Sequence, residues 1–529
     1  MNKTLRSYRG MVTSPHHLAS QAGLDVLKAG GNAAEAAVCV AAVLSVVYPH
    51  MSGIGGDSFW LLAPAGGLPV GVEACGTAAA LATPGWYRQQ GCDQIPTRGP
   101  LAALTAPATV AGWARVLDEA SHWSRPLPVS ELLGPAIHYA EAGFAVSRSQ
   151  AELSARFRAE LEPQPGFAAT FMPDGEPPIE GRRLRLPRLA QTLRELASDG
   201  LMSLYRGALA QRIAAELEGV GSPLREADLR EVEARIVTPL SVRIGGARLF
   251  NMPPPTQGIA SLMILALFDR LGVTEGESFA HVHGLVEATK AAFRVRDAHV
   301  GCPATMSADP AALLGPSALD ALAGEIDKER AQPWPHPAGK GDTTWFAVAD
   351  GAGNMVSAIQ SVYFEFGSGV VLPGTGITCQ NRGLAFSLDG GGHRALRPGA
   401  RPFHTINPAL ALFDDGRKLA YGTMGGEGQP QTQAAVFTRY ARFGMGLQEA
   451  VTAPRWLLGR TWGENAADLK LEGRFAPELV ARLREAGHEL RLVEDFSDMM
   501  GHAGAIVRHP DQLLEGATDP RSDGAVAAW

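Results

Sequence analysis

Thr343 and Thr344 stand where a polar stretch of the sequence gives way to an apolar run. A threonine pair at the start of a strand is ordinary, because β-branched residues favour extended backbone. The chemical interpretation requires a break in the chain. If the Asp342–Thr343 bond were cut, Thr343 would carry both a hydroxyl nucleophile and a free α-amine, whose pKa of about 7.7–8.0 suits a general base at neutral pH. The position is therefore either a structural threonine or an N-terminal nucleophile.

The residues around this pair predict a buried β-hairpin. The stretch 331–340 is rich in proline, which fixes φ and lacks an N–H donor, so it predicts an exposed loop. An apolar run of strand length follows over 345–349, and the glycine-rich stretch 350–354 predicts a turn. A second run over 355–364 predicts the returning strand. Thr343 would then lie at the start of the hairpin.

Composition and charge exclude several classes of protein. The 529 residues are 46% hydrophobic and 19% charged, which predicts a globular protein with a large core. A net charge of −7, without a long run of Lys or Arg, argues against nucleic acid or an anionic membrane as partner. The longest apolar helix candidate, 33–47, is shorter than the roughly 20 residues that span a bilayer, so it predicts a core helix.

Cysteine usage and the first residues bear on the compartment. The five cysteines are Cys39, Cys75, Cys92, Cys302 and Cys379. Their odd number and the absence of a C-x-x-C pattern do not indicate a disulfide framework, which favours a reducing compartment. Residues 1–10 lack the apolar segment of a signal peptide. These features predict a cytoplasmic protein.

Two patterns could in principle bind a phosphate or a metal ion. Gly55-Gly56 could form a phosphate cradle, but neither a P-loop lysine nor a G-x-G-x-x-G frame follows, so a tight turn is favoured. His281 and His283 could be metal ligands, but the sequence offers no evident third ligand. We therefore expect neither a metal nor an organic cofactor.

Three blocks of sequence carry a family resemblance. Thr343-Thr344 precede an aromatic pair and a Val-Ala-Asp run, and the blocks Gly353-Asn-Met-Val-Ser357 and Phe366-Gly-Ser-Gly-Val-Val371 follow. Further blocks occur in order along almost the whole chain. This sequence resembles the γ-glutamyltranspeptidase family.

The resemblance implies the fold and the maturation of the chain. The fold would be α/β, a four-layer αββα sandwich of the N-terminal-nucleophile (Ntn) hydrolase type. Autocatalytic cleavage between Asp342 and Thr343 would give a large subunit, 1–342, and a small subunit, 343–529. The two subunits would stay associated and share one core.

The resemblance also assigns roles to individual residues. Thr343 would be the nucleophile twice, first against the Asp342 carbonyl and then against a substrate amide, through an acyl-enzyme. Ser361 matches a position whose hydroxyl bonds the nucleophile; without the resemblance it would be an ordinary strand serine. Gly425 and Gly426 match a pair that forms an oxyanion hole, where two N–H groups meet the developing O⁻.

The substrate-binding positions differ from those of the family's transpeptidases. The arginine that binds a glutamyl carboxylate is missing from the stretch 72–77, and the aspartate that binds the α-amine is replaced by Ala385. A serine pair is replaced by His404 and Thr405. Tyr363 replaces an asparagine, and we expect it to shorten the pocket.

Arg382 stands where the family has a glutamine. A guanidinium can form two parallel hydrogen bonds to a carboxylate. We therefore expect Arg382, with Asn381, His404 and Thr405, to form a rebuilt anion site. A structural ion pair of Arg382 with an acidic neighbour fits the sequence equally well.

These departures imply an autoprocessing amidohydrolase for a small amide that bears a carboxylate but no α-amine. Oxamate-like and glutaryl-like substrates fit, as in the family's oxamate amidohydrolases and cephalosporin acylases. The first alternative is a γ-glutamyl hydrolase or transferase acting on glutathione and related amides. The second is an uncleaved, non-catalytic relative. The expected partners are the small-molecule amide and the two subunits of the precursor, and the heterodimer could assemble further into a homo-oligomer.

Overall fold

The computed structural model of this chain describes residues 3–334, 342–459 and 467–529. The predicted proline-rich loop therefore lies outside the described residues from position 335 onward. The strands are β1 (Leu5–Ser7), β2 (Gly10–Ser14), β3 (Asp57–Ala63), β4 (Val70–Ala74), β5 (Phe144–Ala145), β6 (Arg183–Leu184), β7 (Arg235–Val237), β8 (Leu240–Ile244), β9 (Ala247–Asn251), β10 (Asp342–Asp350), β11 (Met355–Tyr363), β12 (Ala409–Phe413), β13 (Lys418–Thr423), β14 (Trp456–Leu458), β15 (Leu469–Glu472), β16 (Leu490–Val493), β17 (Ala503–Arg508), β18 (Leu514–Thr518) and β19 (Ala525–Ala528).

Most of these strands form two large sheets, and helices pack on the outer face of each. They are α1 (His17–Lys28), α2 (Ala33–Val47), α3 (Pro84–Gln89), α4 (Thr109–Glu119), α5 (Val129–Ala142), α6 (Arg148–Arg156), α7 (Arg158–Leu161), α8 (Phe167–Phe171), α9 (Pro187–Asp199), α10 (Ala208–Val220), α11 (Glu226–Arg230), α12 (Gly258–Leu271), α13 (Phe279–His299), α14 (Pro310–Leu313), α15 (Pro316–Gly324), α16 (Gly428–Phe437), α17 (Leu447–Thr452) and α18 (Pro477–Glu485).

Two large antiparallel sheets form the centre of the molecule. Within the described residues, sheet I has the strand order β19-β2-β10-β11-β3-β4-β7, and sheet II has the order β1-β18-β17-β13-β12-β9-β8. The predicted hairpin is confirmed as β10 and β11, which lie at the middle of sheet I. A second hairpin, of β8 and β9, lies at the edge of sheet II.

Three apolar clusters separate four layers. One cluster, which includes Trp345, Ile359, Leu410 and Ile506, lies between the two sheets. A second joins sheet I to α1, α2, α4 and α5, and a third joins sheet II to α12, α13 and α16. Burying both faces of each sheet in this way gives the predicted αββα sandwich.

Helix α2 illustrates how the core dictates the sequence. All of its residues are buried, between sheet I and α5, which explains why it is apolar on every side. Asn32 begins it with a capping box, because its side chain accepts the N–H groups of Ala34 and Glu35 while the Glu35 carboxylate accepts the N–H of Asn32. The predicted core helix is confirmed, and no helix in the described ranges is long and apolar enough to cross a membrane.

The sheets approach closely around Trp345, near the start of β10. A Cβ atom at Gly422 would lie 2.2 Å from Trp345 Nε1, and one at Gly504 would lie 2.6 Å from Trp345 Cζ3. The indole N–H donates to Ser357 Oγ at 3.1 Å. The two glycines of sheet II therefore make room for the indole, which anchors the strand that carries Thr343.

Candidate active site

A β-bulge sets Thr343 opposite Ser361. Asp342 pairs with Tyr363 and Thr344 pairs with Gln360, so one residue of β10 faces two of β11. Thr343 is fully buried there. Thr344 Oγ1 donates to the carbonyl of Gln360 at 3.1 Å, which leaves the two neighbouring threonines with different roles. Thr344 stabilises the hairpin, whereas the hydroxyl of Thr343 is directed to other side chains.

Gln429, in the first turn of α16, contacts the hydroxyl of Thr343. Its Nε2 donates to Thr343 Oγ1 at 3.2 Å. Its Oε1 accepts the backbone N–H of Asn407 at 3.2 Å and Asn407 Nδ2 at 3.1 Å. Gln429 was not among the predicted site residues, because a glutamine beside a Gly-Gly pair carries no sequence signal for a contact with a distant strand.

Gly425 and Gly426 form the connection from β13 to α16, with φ angles of +119° and +52°. Backbones of this kind favour glycine. Thr423 Oγ1 donates to Met424 O at 2.7 Å, and the N–H of Gly428 donates to Gly425 O at 2.7 Å. Since the C=O and N–H of one peptide plane point in opposite directions, these bonds fix the direction of the N–H groups of Gly425 and Gly426. The predicted oxyanion pair is thus a rigid turn.

The site residues at the end of β11 lie in a strained backbone. The Ser361 hydroxyl accepts the N–H of Tyr363 at 2.7 Å. Tyr363 has a φ of +84°, a conformation rare for a residue with a bulky side chain. The tight Gly55-Gly56 turn packs beneath, because a Cβ at Gly56 would lie 2.0 Å from Ser361 O and one at Gly55 would lie 2.1 Å from Thr378 O. The glycine pair is therefore a packing turn, as predicted.

Arg382 is fully buried and lies on the ring of Tyr363, with its Cζ 3.8 Å from the ring centroid. Its Nη1 donates to Thr405 Oγ1 at 3.3 Å. Among the described residues, its Nε and Nη2 have no hydrogen-bond partner, and no carboxylate lies within 4.0 Å of it. Burial lowers the pKa of Arg382 to about 10, so the group is still a cation at neutral pH.

Asn381 and Thr405 hold the backbone around Arg382. Asn381 Oδ1 accepts the N–H of Phe364 at 3.1 Å and its Nδ2 donates to Thr97 O at 2.9 Å, so its amide links two loops. Gln257 Nε2 donates both to Thr405 O at 2.7 Å and to Gly426 O at 2.8 Å. Gln257, which the sequence analysis did not assign to the site, thus joins the predicted anion site to the predicted oxyanion turn.

His404 lies on the other side, among buried polar groups. Its Nε2 is 3.0 Å from Cys75 Sγ and 3.4 Å from Asp57 Oδ2. Burial, followed by the charge of Arg382, lowers the pKa of His404 well below its ordinary value, so the ring is neutral. Burial raises the pKa of Asp57 to about 7, although the N–H of Gly76 donates to its Oδ1. Asp57 is a further site residue that the sequence analysis missed.

In the described part of the chain, two groups of side chains have ligand atoms close enough to share a metal ion. In the first, Asp57, Cys75 and His404, the cation of Arg382 acts on all three. This positive charge opposes a second cation.

The second group contains His283, Glu287 and His488. Glu287 already binds Lys290 Nζ at 2.7 Å, so an ammonium group occupies the carboxylate that a metal would need. The two histidines of the His-x-His pattern do not face the same group, because His281 contacts Thr438. That no metal is required stays a prediction.

Four layers ordered αββα, with a buried threonine at the start of a central strand, define an Ntn hydrolase. The γ-glutamyltranspeptidase family model matches residues 19–529, and the chain belongs to this family. It is an amidohydrolase or acyltransferase of this family.

Similarities to individual proteins place the chain within the family. It is 53% identical over 530 residues to the oxamate amidohydrolase proenzyme of Klebsiella pneumoniae subsp. pneumoniae, with 100% of both chains covered. It is 41% identical to the glutathione hydrolase-like YwrD proenzyme of Bacillus subtilis, with 99% of both covered. The cephalosporin acylase from Bacillus halodurans superposes with a TM-score of 0.91 at 35% identity, covering 100% of this chain and 97% of that one. The chain thus lies in the oxamate amidohydrolase and acylase branch.

Proposed function

We propose that this protein hydrolyses oxamate or a close analogue, a small amide whose carboxylate is bound by Arg382. The observation that carries the proposal is the buried guanidinium of Arg382, with two nitrogens unpartnered among the described residues. Burying guanidinium nitrogens without hydrogen-bond partners is costly, and Arg382 feels the charge of Asp57 without a direct ion pair, which favours an anion-binding role over the structural ion pair. Similarity to an oxamate amidohydrolase supports the same substrate.

The proposed anion site adjoins the hairpin that carries the nucleophile. Arg382 stacks on Tyr363, and Tyr363 is the cross-strand partner of Asp342, the residue before Thr343. A substrate bound to Arg382 would therefore have only a short distance to reach Thr343. An acyl group as small as an oxalyl unit suits this arrangement.

The precursor would first cut itself between residues 342 and 343. Thr343 Oγ1 attacks the carbonyl carbon of Asp342, the peptide C–N bond breaks, and water opens the resulting ester. The products are the chains 1–342 and 343–529, and Thr343 gains a free α-amine.

The mature enzyme would act on the substrate by the same chemistry. The α-amine takes the proton of the Thr343 hydroxyl as its oxygen attacks the amide carbon, and the N–H groups of Gly425 and Gly426 stabilise the O⁻. The α-ammonium then protonates the amide nitrogen, the C–N bond breaks and ammonia leaves, and an oxalyl ester on Thr343 remains. Water hydrolyses this ester to oxalate, with the α-amine as general base and the Thr343 oxygen as leaving group. In total, oxamate and water give oxalate and ammonium.

A second candidate is hydrolysis of γ-glutamyl amides. The observation in its favour is Asp57, whose Oδ2 is buried and has no hydrogen-bond partner among the described residues. Asp57 and Arg382 together could bind the amine and the carboxylate of a glutamyl head. Burial raises the pKa of Asp57 to about 7, which weakens this candidate, because the carboxyl is only partly ionised at neutral pH and an ammonium needs the ionised form.

The test is a comparison of product release from oxamate, a glutaryl amide and a γ-glutamyl anilide. We expect the highest kcat/KM with oxamate, and a KM for oxamate that rises about 10- to 100-fold in Arg382→Gln, since a hydrogen bond to a charged group contributes about 1.5–3 kcal/mol. Arg417→Gln is the control, because Arg417 also stacks on an aromatic ring but pairs with Asp415. A preference for the anilide would favour the second candidate, and an unchanged KM would exclude Arg382 as the anion site.

We further propose a cytoplasmic enzyme without nucleic-acid or membrane partners, and a homo-oligomer of the cleaved heterodimer. The amino-acid composition and charge support the absence of such partners. Cell fractionation and light scattering of the cleaved protein would check these points.

A further inference from the structure

The side-chain amide of Gln429 is held in one orientation beside Thr343. Its Oε1 accepts two hydrogen bonds from Asn407, so a flipped amide would set its NH₂ group against two donors. With Oε1 bound in this way, Nε2 is directed at Thr343 Oγ1, 3.2 Å away. Gln429 is fully buried.

Asn407 is itself fixed by buried polar groups. Its Oδ1 accepts Ser261 Oγ at 2.8 Å and Asn251 Nδ2 at 3.3 Å, and its carbonyl accepts Gln433 Nε2 at 2.6 Å. A buried network in which each member is bonded specifies one geometry. These bonds cross from α12 and β9 to α16, so parts of both outer and inner layers determine where the amide of Gln429 points.

The same turn of backbone links Gln429 to the oxyanion pair. The N–H of Gln429 donates to Gly426 O at 3.3 Å, and Gly428 donates to Gly425 O at 2.7 Å. The groups that would stabilise the carbonyl oxygen of the substrate and the group that contacts the nucleophile oxygen therefore form one rigid unit at the start of α16.

We propose that Gln429 is a catalytic residue, which donates its amide N–H to the Thr343 oxygen throughout autocleavage and turnover. This inference rests on the proposed function, because it takes Thr343 as the nucleophile. A donor on Oγ1 directs the hydroxyl hydrogen away from Gln429 and toward the base. It also stabilises negative charge on that oxygen, as an oxyanion-hole donor does for the carbonyl oxygen.

The role is clearest when the acyl-enzyme breaks down. The ester C–O bond breaks, its electron pair returns to Thr343 Oγ1, and that oxygen takes a proton from the α-ammonium. The N–H bond of Gln429 stays intact, and its hydrogen bond strengthens while the oxygen is negatively charged. Gln429 thus lowers the barrier for the leaving alkoxide without being a proton donor.

Gln429→Met removes the donor and keeps a side chain of similar length. We expect the rate of precursor cleavage and the kcat of the cleaved enzyme to fall by about 100- to 1000-fold, the range for losing one oxyanion donor, with the KM for oxamate nearly unchanged. The matched control is Gln431→Met, two residues on in the same helix. Gln431 is also buried, but its amide bonds to Glu427 O and to the backbone of Leu458 and not to Thr343.

The pH dependence of kcat in Gln429→Glu distinguishes a hydrogen-bond donor to Thr343 from a residue that is only structural. An ionised carboxylate cannot donate to Thr343 Oγ1, whereas a protonated one can donate its O–H. We therefore expect the ratio of variant to parent kcat to rise as the pH is lowered, and this ratio decides the question even if Gln429→Met fails to fold. A ratio that does not change with pH would overturn the inference.

The inference and the proposed function can fail separately. If the parent stays uncut, the proposed function fails. If the parent is cut and turns over oxamate while Gln429→Met keeps its cleavage rate and kcat, only the role of Gln429 is wrong. If Gln429→Met and Gln431→Met lose activity equally and the Glu variant shows no pH-dependent ratio, Gln429 is structural.

Discussion

The guanidinium of Arg382 lies 3.8 Å from the centre of the Tyr363 ring, and Tyr363 is held at a φ of +84°. A strained aromatic residue at the end of β11 thus forms one wall of the proposed anion site. Strain of this kind is retained only where the surrounding structure imposes it. The ring can stabilise the buried cation through its negative face without neutralising it, which leaves the charge available to a substrate carboxylate.

Replacing Tyr363 should therefore change substrate binding according to whether the ring is kept. We expect Tyr363→Phe to keep a KM for oxamate within about threefold of the parent, and Tyr363→Ala to raise it about 10-fold, since a buried cation–π contact contributes about 1–2 kcal/mol. Steady-state kinetics of both variants provide the measurement. An equal effect of the two changes would show that the hydroxyl, and not the ring, matters.

Thr343→Ala should leave the precursor in one piece. The alanine lacks the oxygen that attacks the Asp342 carbonyl, so the intact mass should remain that of the uncut chain, whereas the parent should give fragments 1–342 and 343–529. Thr344→Val is the control, because the hydroxyl of Thr344 donates to the backbone of Gln360 and valine keeps the β-branched shape. Cleavage of the Thr343→Ala variant at the same bond would show that Thr343 is not the nucleophile.

The hairpin and the core helix were predictable because their information is local. Apolar runs on both sides of a glycine-rich turn specify β10 and β11, and Asn32 with Glu35 specifies the start of α2. The partners of Thr343 and Arg382 were not predictable in this way. Gln429 comes close to Thr343 only because the two large sheets stack, and sequence spacing carries no record of that contact.

The role of Arg382 could not be decided from the sequence for a different reason. An arginine pairs equally well with a protein carboxylate or with a ligand, so its type alone left the two interpretations open. In the structure Nε and Nη2 of Arg382 have no hydrogen-bond partner among the described residues, which favours the ligand.

Removing one partner of a buried ion network should destabilise the fold strongly. Asp519 is fully buried and binds both Arg455 and Arg521. We expect Asp519→Ala to lower the free energy of unfolding by about 3–5 kcal/mol, because two arginines would lose a counter-ion away from water. Urea unfolding gives the value. Asp414→Ala, which breaks an exposed pair with Arg243, should cost about 1 kcal/mol or less.

Acid should destabilise the protein partly through His502. Burial lowers the pKa of His502 to about 4, and its Nε2 has no hydrogen-bond partner among the described residues. The unfolded chain binds a proton near pH 6.5 but the folded chain does not, so the unfolded state gains protons first. The contribution of His502 to stability is therefore complete above pH 6.5 and is lost as the pH falls toward 4, by about 1.4 kcal/mol per pH unit.

The measurement is the urea midpoint of the parent and of His502→Asn between pH 7.5 and 4.5. We expect the free energy of unfolding of the parent to fall more steeply with decreasing pH than that of the variant. The difference between the two slopes corresponds to at most one additional proton bound on unfolding. Other groups, such as Asp57, act in the opposite direction, because its raised pKa favours the folded state as the pH falls, so only the difference between the two proteins is informative. Parallel slopes for the parent and His502→Asn would mean that His502 is protonated as readily in the folded protein as in the unfolded chain.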